Sequence, residues 1–457
     1  MSVESIIAKI EQNKEIYVEF LRKLIQSDSV NPPGNEKNVV LVIEDFLKDL
    51  NIKTEIFPFG NNRANLIAYL NENFKGKNLL YNGHMDVVPP GSGKDWKYPP
   101  FSALVKHNKM IYGRGSSDMK SGLAAMAIAL KVLKELDLDL TGNLILNAVA
   151  DEETGGMFGT GWCVENPLKP IKCDFAVIGE STGLSPLPKA ILVGEKGHLI
   201  IKIRTNGISG HSSMPAMSKN AIYMMSEIIE NLDKIDEYIP KSEPPIKLEK
   251  LKKLLAVAFP TEDVFNRILN EQPELESLLQ SLVSYSKALT MIKGGIKENV
   301  IPDSCEAILD VRLLPGQQVE PIIEALKKLI SNDVEYLVKD NSTSPSEKVF
   351  VEIEIVTASE GSYWENWEES EELNNFCELV ETIYEKKPLY FLLPASADAH
   401  YIRNNGYCPQ TILFGPGKGR TAHAIDENIE ILDFIRAIKV YAIFAYNFLN
   451  KKRFNLN

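Results

Sequence analysis

Residues 78–86 read NLLYNGHMD, an apolar run followed directly by a histidine and an aspartate. The run over 78–81 predicts a short buried strand. His84 and Asp86 then stand where that strand ends, and the strand ends of an α/β sheet are where such proteins bind ligands. This segment therefore predicts a buried sheet with a polar site at one edge.

Further apolar segments extend the same pattern along the chain. Short buried strands are predicted at 65–70, 143–150, 175–179 and 410–414. Helical spacing of apolar residues predicts helices at 1–25, 35–50, 120–136, 373–386 and 429–449. Because strands alternate with helices, the sequence predicts an α/β fold with a central, mostly parallel sheet.

The pattern changes after Lys189, where longer strands with alternating apolar residues appear. They are predicted at 192–205, 305–313 and 349–356, with helices at 219–235 and 319–329. This order indicates a small α+β domain inserted into the α/β domain. The chain is therefore divided into a large domain, in two parts at 1–191 and 361–457, and an inserted domain at 192–360. Within the insert, 237–285 is charged, contains prolines and then becomes helical, and the sequence does not indicate its purpose.

The composition excludes several classes of protein. Acidic residues outnumber basic ones by 62 to 50, a net charge of −12, which argues against a nucleic-acid partner because phosphate contacts need clustered lysine and arginine. No apolar run reaches the roughly 18 residues of a membrane span. The five cysteines form no CxxC pair, so neither a disulfide framework nor a thiolate metal site is predicted. We expect a cytoplasmic protein with reduced cysteines and no membrane partner.

Acidic and histidine side chains follow the predicted strands and a glycine-rich turn at 113–117. The five candidate metal ligands are His84, Asp118, Glu153, Glu180 and His423. Carboxylate oxygens and imidazole nitrogens suit zinc and similar divalent ions, and one carboxylate can bridge two of them at about 3.5–4 Å. The residues therefore predict a site for two divalent metal ions, with zinc first and cobalt or manganese as alternatives.

Two further carboxylates stand beside these ligands. Glu152 and Glu153 are consecutive and point in different directions beyond a strand end, so one can bind metal while the other accepts a proton from water. Asp86 can accept the second ring N–H of His84. Each feature has a simpler explanation when taken alone, since paired glutamates are usually solvated and a lone histidine is usually structural. Their joint occurrence at strand ends favours the metal site.

The motifs in this order resemble the M20 family of metallopeptidases and deacylases, which includes acetylornithine deacetylase, succinyl-diaminopimelate desuccinylase, aminoacylase and glutamate carboxypeptidase. The resemblance covers essentially the whole chain. It rests on GHMDVVP at 83–89, YGRG at 112–115, DMKSG at 118–122, DEETGG at 151–156, GE at 179–180 and the late His423. It implies a zinc-peptidase-like topology for the large domain, which would be catalytic, and a lid and dimerisation role for the inserted domain.

The resemblance also implies a role for each residue of the centre. His84 and Glu180 would complete one metal site, Glu153 and His423 the other, and Asp118 would bridge them. Glu152 would be the general base and Asp86 would orient His84. A cis peptide bond would follow the bridging aspartate, between Asp118 and Met119.

Matches in the inserted domain imply how substrate is held. His211, in GHSS at 210–213, would reach the partner subunit's active site in a homodimer formed through the lid and stabilise the oxyanion. Asn299 and Arg312 would contact a small-molecule substrate that bears a carboxylate, although an ordinary salt bridge is the alternative for Arg312. Gly415, in GPG at 415–417, would let the backbone approach the substrate. The segment 397–400, ADAH, departs from the glycine-rich pattern of many members.

The expected reaction is hydrolysis of the amide bond in an N-acyl amino acid, of the acetylornithine or succinyl-diaminopimelate type. A dipeptidase or carboxypeptidase of the same family is the first alternative, because both chemistries break an amide next to a carboxylate-bearing residue. A non-catalytic metal-binding protein on a hydrolase fold is an alternative of another class. A nucleotide-binding protein is disfavoured, because the glycine-rich segments at 113–115 and 415–421 lack the remaining residues of phosphate loops.

Overall fold

The computed structural model describes residues 2–71, 76–184, 186–340, 344 and 346–450. Its strands are β1 (Lys53–Phe59), β2 (Arg63–Tyr69), β3 (Asn78–His84), β4 (Leu104–Lys106), β5 (Met110–Tyr112), β6 (Asn143–Val149), β7 (Phe175–Ile178), β8 (Ala190–Glu195), β9 (Gly197–Asn206), β10 (Gly210–His211), β11 (Ser286–Gly294), β12 (Val300–Ile301), β13 (Ser304–Leu313), β14 (Phe350–Ser359), β15 (Ser362–Tyr363), β16 (Leu389–Leu393), β17 (Thr411–Leu413) and β18 (Asn428–Glu430).

The helices lie between these strands. They are α1 (Ser2–Gln12), α2 (Lys14–Gln26), α3 (Lys37–Leu47), α4 (Lys120–Glu135), α5 (Trp162–Glu165), α6 (Ala221–Asn231), α7 (Ile235–Tyr238), α8 (Leu248–Ala256), α9 (Glu262–Glu271), α10 (Pro273–Leu282), α11 (Val319–Asn332), α12 (Glu371–Tyr384), α13 (Ala399–Asn404) and α14 (Ile431–Leu449). The helix predicted over 1–25 is two helices, α1 and α2, which meet at Asn13.

A nine-stranded sheet forms the centre of the fold, in the order β1-β2-β6-β3-β7-β17-β8-β15, with β16 also paired to β8. Its middle strands run parallel: β3 pairs in parallel with β6 and β7, and β17 with β7. The strands β6 and β7 are buried along their whole length, because parallel sheets are covered on both faces. The predicted α/β fold with a mostly parallel sheet is confirmed.

Helix α4 packs closely against the end of β7. A side chain at Gly122 would place its Cβ 1.9 Å from the carbonyl oxygen of Gly179, so only glycine allows this approach. The apolar side chains of α4 and α14 join the core of the large sheet, and the hydroxyl of Tyr81 donates to the carbonyl of Tyr441 at 2.7 Å. This packing fixes the strand ends that carry the polar residues.

A second sheet, in the order β11-β13-β9-β14, is antiparallel throughout. Apolar residues alternate along β9 and β13, and the inward ones form a separate core with α6 and α11. The opposite face of this smaller sheet stays partly exposed. The two cores are distinct clusters of buried residues.

The single strand predicted over 192–205 is wrong: β8 belongs to the large sheet and β9 to the smaller one. Lys196 lies between them, and its backbone N–H donates to the carbonyls of Leu393 and Ala395 at 3.1 Å each. The polar stretch GEKGH at 194–198 interrupts the apolar pattern here, but the prediction joined the strands on either side of it. The chain returns to the large sheet between Ser359, where β14 ends, and Ser362, where β15 begins.

Helices α8, α9 and α10, within the segment 237–285, pack against the core of the large sheet. Lys250, on α8, lies over the ring of Trp367 at 5.6 Å. The chain thus leaves the smaller sheet after α7 and rejoins it at β11. The buried apolar residues of the segment in the large core are Ile246, Leu251, Phe265, Leu269, Leu279 and Val283.

Two simpler expectations can be compared with the structure. All five cysteines are buried free thiols, as predicted: Cys163, Cys173, Cys305, Cys377 and Cys408. Among the described residues, no helix has the length and apolar character needed to cross a membrane.

Candidate metal centre

The five predicted ligands meet beyond the strand ends of the large sheet. His84 is the last residue of β3, Glu153 follows β6, and Glu180 follows β7. Asp118 stands just before α4, and His423 lies in the loop between β17 and β18. Neighbouring parallel strands bring side chains that are far apart in sequence to one edge.

These ligands form two groups that share Asp118. His84 Nε2 lies 3.1 Å from Asp118 Oδ1 and 3.6 Å from Glu180 Oε1. His423 Nε2 lies 3.1 Å from Asp118 Oδ2 and 3.1 Å from Glu153 Oε2. In each group the candidate ligand atoms lie within 4.8 Å of one another. Asp118 thus presents one carboxylate oxygen to each histidine.

The loop that carries Asp118 is held by a buried carboxylate, Glu427. It accepts hydrogen bonds from the backbone N–H groups of Ser117 at 2.7 Å and Asp118 at 3.0 Å. Arg114 pairs with it at 2.7 Å. The peptide bond between Asp118 and Met119 is cis, as expected from the resemblance. Sequence analysis missed the role of Glu427, although its position four residues after His423 was a signal.

Asp86 is fully buried and supports both sides of the centre. Its carboxylate accepts the backbone N–H groups of Glu152 at 3.2 Å and Glu153 at 3.1 Å, and the side-chain amide of Asn31 at 2.9 Å. His84 Nδ1 lies 2.9 Å from the backbone carbonyl of Asp86, but 3.6 Å from its Oδ1. Because a carbonyl only accepts, Nδ1 donates there and Nε2 is free to bind a metal.

The centre gathers more carboxylates than histidines, so it carries excess negative charge unless cations bind. Burial raises the pKa of Glu180 well above its usual value, and the charge of Asp118 acts in the same direction. Burial likewise raises the pKa of Glu152. Burial also raises the pKa of Asp118, but its hydrogen bonds with His423 and His84 outweigh burial, so the pKa of Asp118 is lowered. Carboxylates crowded in this way are stabilised by positive charge.

The donor set fits two divalent cations. Besides the shared Asp118, Glu153 has a buried oxygen, Oε1, that finds no hydrogen-bond partner within the described part of the chain. A buried carboxylate oxygen with no partner is costly, and a metal ion would satisfy it. Oxygen and imidazole ligands of this kind suit zinc, cobalt or manganese.

Three predicted residues of the inserted domain, His211, Asn299 and Arg312, form their hydrogen bonds away from this centre. His211 is exposed on β10, with Nδ1 2.7 Å from the hydroxyl of Ser213, and Asn299 accepts the backbone N–H of Ser212 at 3.2 Å. Arg312, on β13, is paired with Asp310. Within the described residues, no hydrogen bond or ion pair joins His211, Asn299 or Arg312 to the metal ligands.

Gly415 lies next to the metal centre for a structural reason. Its N–H donates to the hydroxyl of Thr182 at 3.3 Å, and its carbonyl accepts from Lys189 Nζ at 2.7 Å. A Cβ here would meet the backbone oxygens of Gly179 at 2.2 Å and Glu180 at 2.6 Å. The glycine therefore allows close packing against the strand end that carries Glu180, and its own polar atoms are engaged within the protein.

A buried aspartate, Asp398, adjoins the loop after Glu153. It accepts a hydrogen bond from the hydroxyl of Thr160 at 2.7 Å, and its Oδ1 would lie 2.3 Å from a Cβ at Gly156. Burial raises the pKa of Asp398 to about 7. The segment 397–400 was noted only as a departure from the family pattern, and no role was predicted for Asp398. His400 is a local contact, with Nδ1 2.7 Å from the carbonyl of Ala397.

The sequence matches the family described as Peptidase family M20/M25/M40 over residues 80–447. It is 28% identical to the probable succinyl-diaminopimelate desuccinylase of Staphylococcus aureus over 445 residues, 95% of this chain and 98% of the relative. It is 34% identical to the succinyl-diaminopimelate desuccinylase of Blochmanniella pennsylvanica over 223 residues. That match covers 48% of this chain and spans 57% of the relative's length.

Solved structures share the fold across nearly the whole chain. The M20 family metallo-carboxypeptidase Sso-CP2 of Sulfolobus solfataricus gives a TM-score of 0.75 at 22% identity, covering 95% of this chain and 98% of that one. The di-peptidase Dug1p of Saccharomyces cerevisiae gives 0.76 at 16% identity, covering 98% of each chain. Human carnosine dipeptidase 1 gives 0.73 at 17%, covering 98% of this chain and 99% of that one.

Proposed function

The chain belongs to peptidase family M20/M25/M40, and from that membership we propose that its metal centre hydrolyses the amide bond of an N-acyl amino acid of the acetylornithine or succinyl-diaminopimelate type. The observation that carries the proposal is Asp118, whose two oxygens face His84 and His423 separately. The desuccinylase name of relatives that align over most of the chain supports the substrate class.

Each group of residues has one task in the proposed reaction. Two divalent ions, zinc first, held by the five ligands would act as Lewis acids on water and on the scissile carbonyl. Glu152 Oε2, 3.8 Å from His84 Nε2, receives the proton of the attacking water and delivers it to the leaving nitrogen. Asp86 holds the backbone of Glu152 in place for both transfers.

The inserted domain would supply the contacts to substrate. Arg312 offers a planar fork that matches a carboxylate, and Asn299 an amide that can donate or accept. His211 would stabilise the oxyanion of a neighbouring subunit, since it is exposed and, among the described residues, makes no hydrogen bond or ion pair with the metal ligands of its own chain. The same Arg312 would hold the C-terminal carboxylate of a dipeptide, so a dipeptidase activity is the second candidate.

The substrate class can be tested directly on metal-stripped protein. We expect hydrolysis of N-succinyl-diaminopimelate or N-acetylornithine only after zinc, cobalt or manganese is restored, measured as release of the free amine. N-acetyl derivatives of other amino acids and unmodified dipeptides complete the set of substrates. Turnover of dipeptides alone would select the second candidate. Two bound ions with no turnover of any substrate would contradict an enzymatic role and favour the non-catalytic alternative.

The part assigned to His211 requires a second copy of the chain, and β11 offers a surface for it. This strand lies at the edge of the smaller sheet, and no strand among the described residues pairs with its outer side. Two adjacent apolar side chains on it are exposed, Met291 to 67% and Ile292 to 56%. An apolar edge strand of this kind is suited to pair with its own copy, which supports a homodimer formed through the smaller sheet.

We expect the change Ile292→Lys to convert a dimer into a monomer and to lower kcat by at least about tenfold, since each site would lose the partner's His211. Sedimentation equilibrium gives the mass and a steady-state assay gives kcat. Ile16→Lys is the matched control, because Ile16 is exposed to 58% on α2, in the large domain. A monomeric wild-type protein that turns over substrate would contradict this role of His211.

A further inference from the structure

A cluster of three polar side chains lies on the open face of the smaller sheet, next to Lys196, where the chain passes between the sheets. His198 is the second residue of β9 and stands opposite Arg312 of β13 in the strand register. Asp310 is two residues before Arg312 and therefore on the same face. All three are partly buried, and their hydrogen bonds are made to one another.

Asp310 binds both neighbours through its carboxylate. Arg312 donates Nε–H to Oδ1 at 2.9 Å and an Nη2 proton to Oδ2 at 3.1 Å, and His198 Nε2 lies 3.3 Å from Oδ2. Burial, together with the charge of Arg312, lowers the pKa of His198. The imidazole is therefore neutral near pH 7 and donates its Nε2–H to Asp310.

This pairing uses only one edge of the guanidinium. Arginine has five N–H donors, and Asp310 takes two of them on the Nε side. In the described part of the chain Nη1 makes no hydrogen bond, and the Arg312 side chain is 29% exposed. The outer edge, formed by Nη1 and Nη2, is thus open and can take a carboxylate bidentately.

We propose that Asp310 is a positioning residue, which holds Arg312 by its inner edge so that the outer edge receives the carboxylate of the substrate. The proposal rests on the proposed function, in which Arg312 binds that carboxylate. Asp310 orders the long side chain of Arg312 before substrate binds. A guanidinium that is already fixed loses less conformational entropy on binding. Without Asp310, the guanidinium samples other rotamers and binding weakens.

The same strand contains a matched comparison. Glu306 pairs with Arg204 of β9 at 2.7 Å, on the same face, but four residues further from the passage between the sheets. Both members of this pair are exposed to about the same degree, 40% and 38%. It is a surface ion pair, and such pairs contribute little. Glu306→Gln therefore removes a carboxylate from the same sheet without affecting Arg312.

The test compares Asp310→Asn with Glu306→Gln on two substrates, an N-acyl amino acid and its α-carboxamide, which has no carboxylate. We expect Asp310→Asn to raise KM for the acid about tenfold and to change kcat less than about twofold. KM for the carboxamide should stay the same, and Glu306→Gln should leave both values unchanged. An equal rise in KM for acid and carboxamide would indicate a general structural effect and overturn the proposal.

A second arm asks whether Asp310 acts through Arg312. In an Arg312→Gln background, Asp310→Asn should add no further change in KM, and an additive effect of the two substitutions would overturn the proposal. A crystal structure of Asp310→Asn should show the guanidinium in another rotamer, and an unmoved Arg312 would also overturn it. This structural result does not depend on turnover. If the wild-type protein hydrolyses no substrate, the proposed function fails separately from the positioning role.

Discussion

Replacing Glu152 by glutamine is expected to leave two metal ions bound and to lower kcat by about 10²–10⁴-fold. Glutamine has the same shape but cannot accept a proton from water. The backbone N–H of residue 152 would keep its hydrogen bond to Asp86, so the loop should not move. Glu152 Oε2 lies 3.8 Å from His84 Nε2, further than the 3.1 Å that separates His84 from Asp118. The shorter contact favours Asp118 as the ligand and Glu152 as the base.

The geometry also permits a grouping of His84 with Glu152 and Glu153, so the metal content must be measured together with kcat. Glu165→Gln is the matched control, because Glu165 is an exposed glutamate at the end of α5, paired with Lys169 and outside the ligand groups. If Glu152→Gln loses an ion, Glu152 is a ligand. If it keeps both ions and full kcat, another group is the base.

Removing the shared carboxylate should have the other large effect. Asp118→Ala takes a ligand from both groups at once, so we expect fewer than about one zinc per chain and a loss of activity of about 10³-fold or more. His423→Ala takes a ligand from one group only and should leave about one ion per chain. Metal content after dialysis, measured by elemental mass spectrometry, distinguishes the two variants.

His107→Ala serves as the control for these substitutions, because His107 is exposed in the turn between β4 and β5, outside either ligand group. It should keep two ions and full activity. Retention of both ions by Asp118→Ala would show that the two groups bind metal independently and that Asp118 is not a bridge. An equal loss of metal from Asp118→Ala and His423→Ala would show that the second ion is required for the first to bind.

The large sheet and its strand-end residues were predictable because their signals are local. A buried strand such as β3 is a continuous apolar run, and the polar residue that ends it is adjacent in sequence. Parallel pairing then brings His84, Glu153 and Glu180 together without further information. The family resemblance added the grouping of the ligands and the cis bond before Met119.

The remaining features depend on contacts between distant residues. Glu427 holds the Asp118 loop across more than 300 residues of sequence, and Asp398 reaches Thr160 across 238. The passage between the sheets lies in the short polar stretch GEKGH at 194–198, and the apolar strands β8 and β9 on either side of it belong to different sheets. Sequence periodicity reports which face of an element is buried, but not which sheet it joins.

The segment 237–285 affects how freely the smaller sheet can rotate relative to the large one. The chain passes between the sheets at 195–197 and 359–362, and the segment adds a further attachment between them through its apolar side chains in the large core. Here Lys196 Nζ, itself buried, donates to the carbonyls of Ser281 at 2.5 Å and Ser284 at 2.7 Å, just where the segment returns to β11.

A wide opening of the cleft would have to pull α8–α10 off the large core. That movement would expose six apolar side chains, at a cost on the order of 10 kcal/mol, and would strip a buried ammonium group of its acceptors. Because this free-energy cost is far above thermal energy, a wide opening should be rare. We therefore expect the segment to limit the rotation of the smaller sheet relative to the large one.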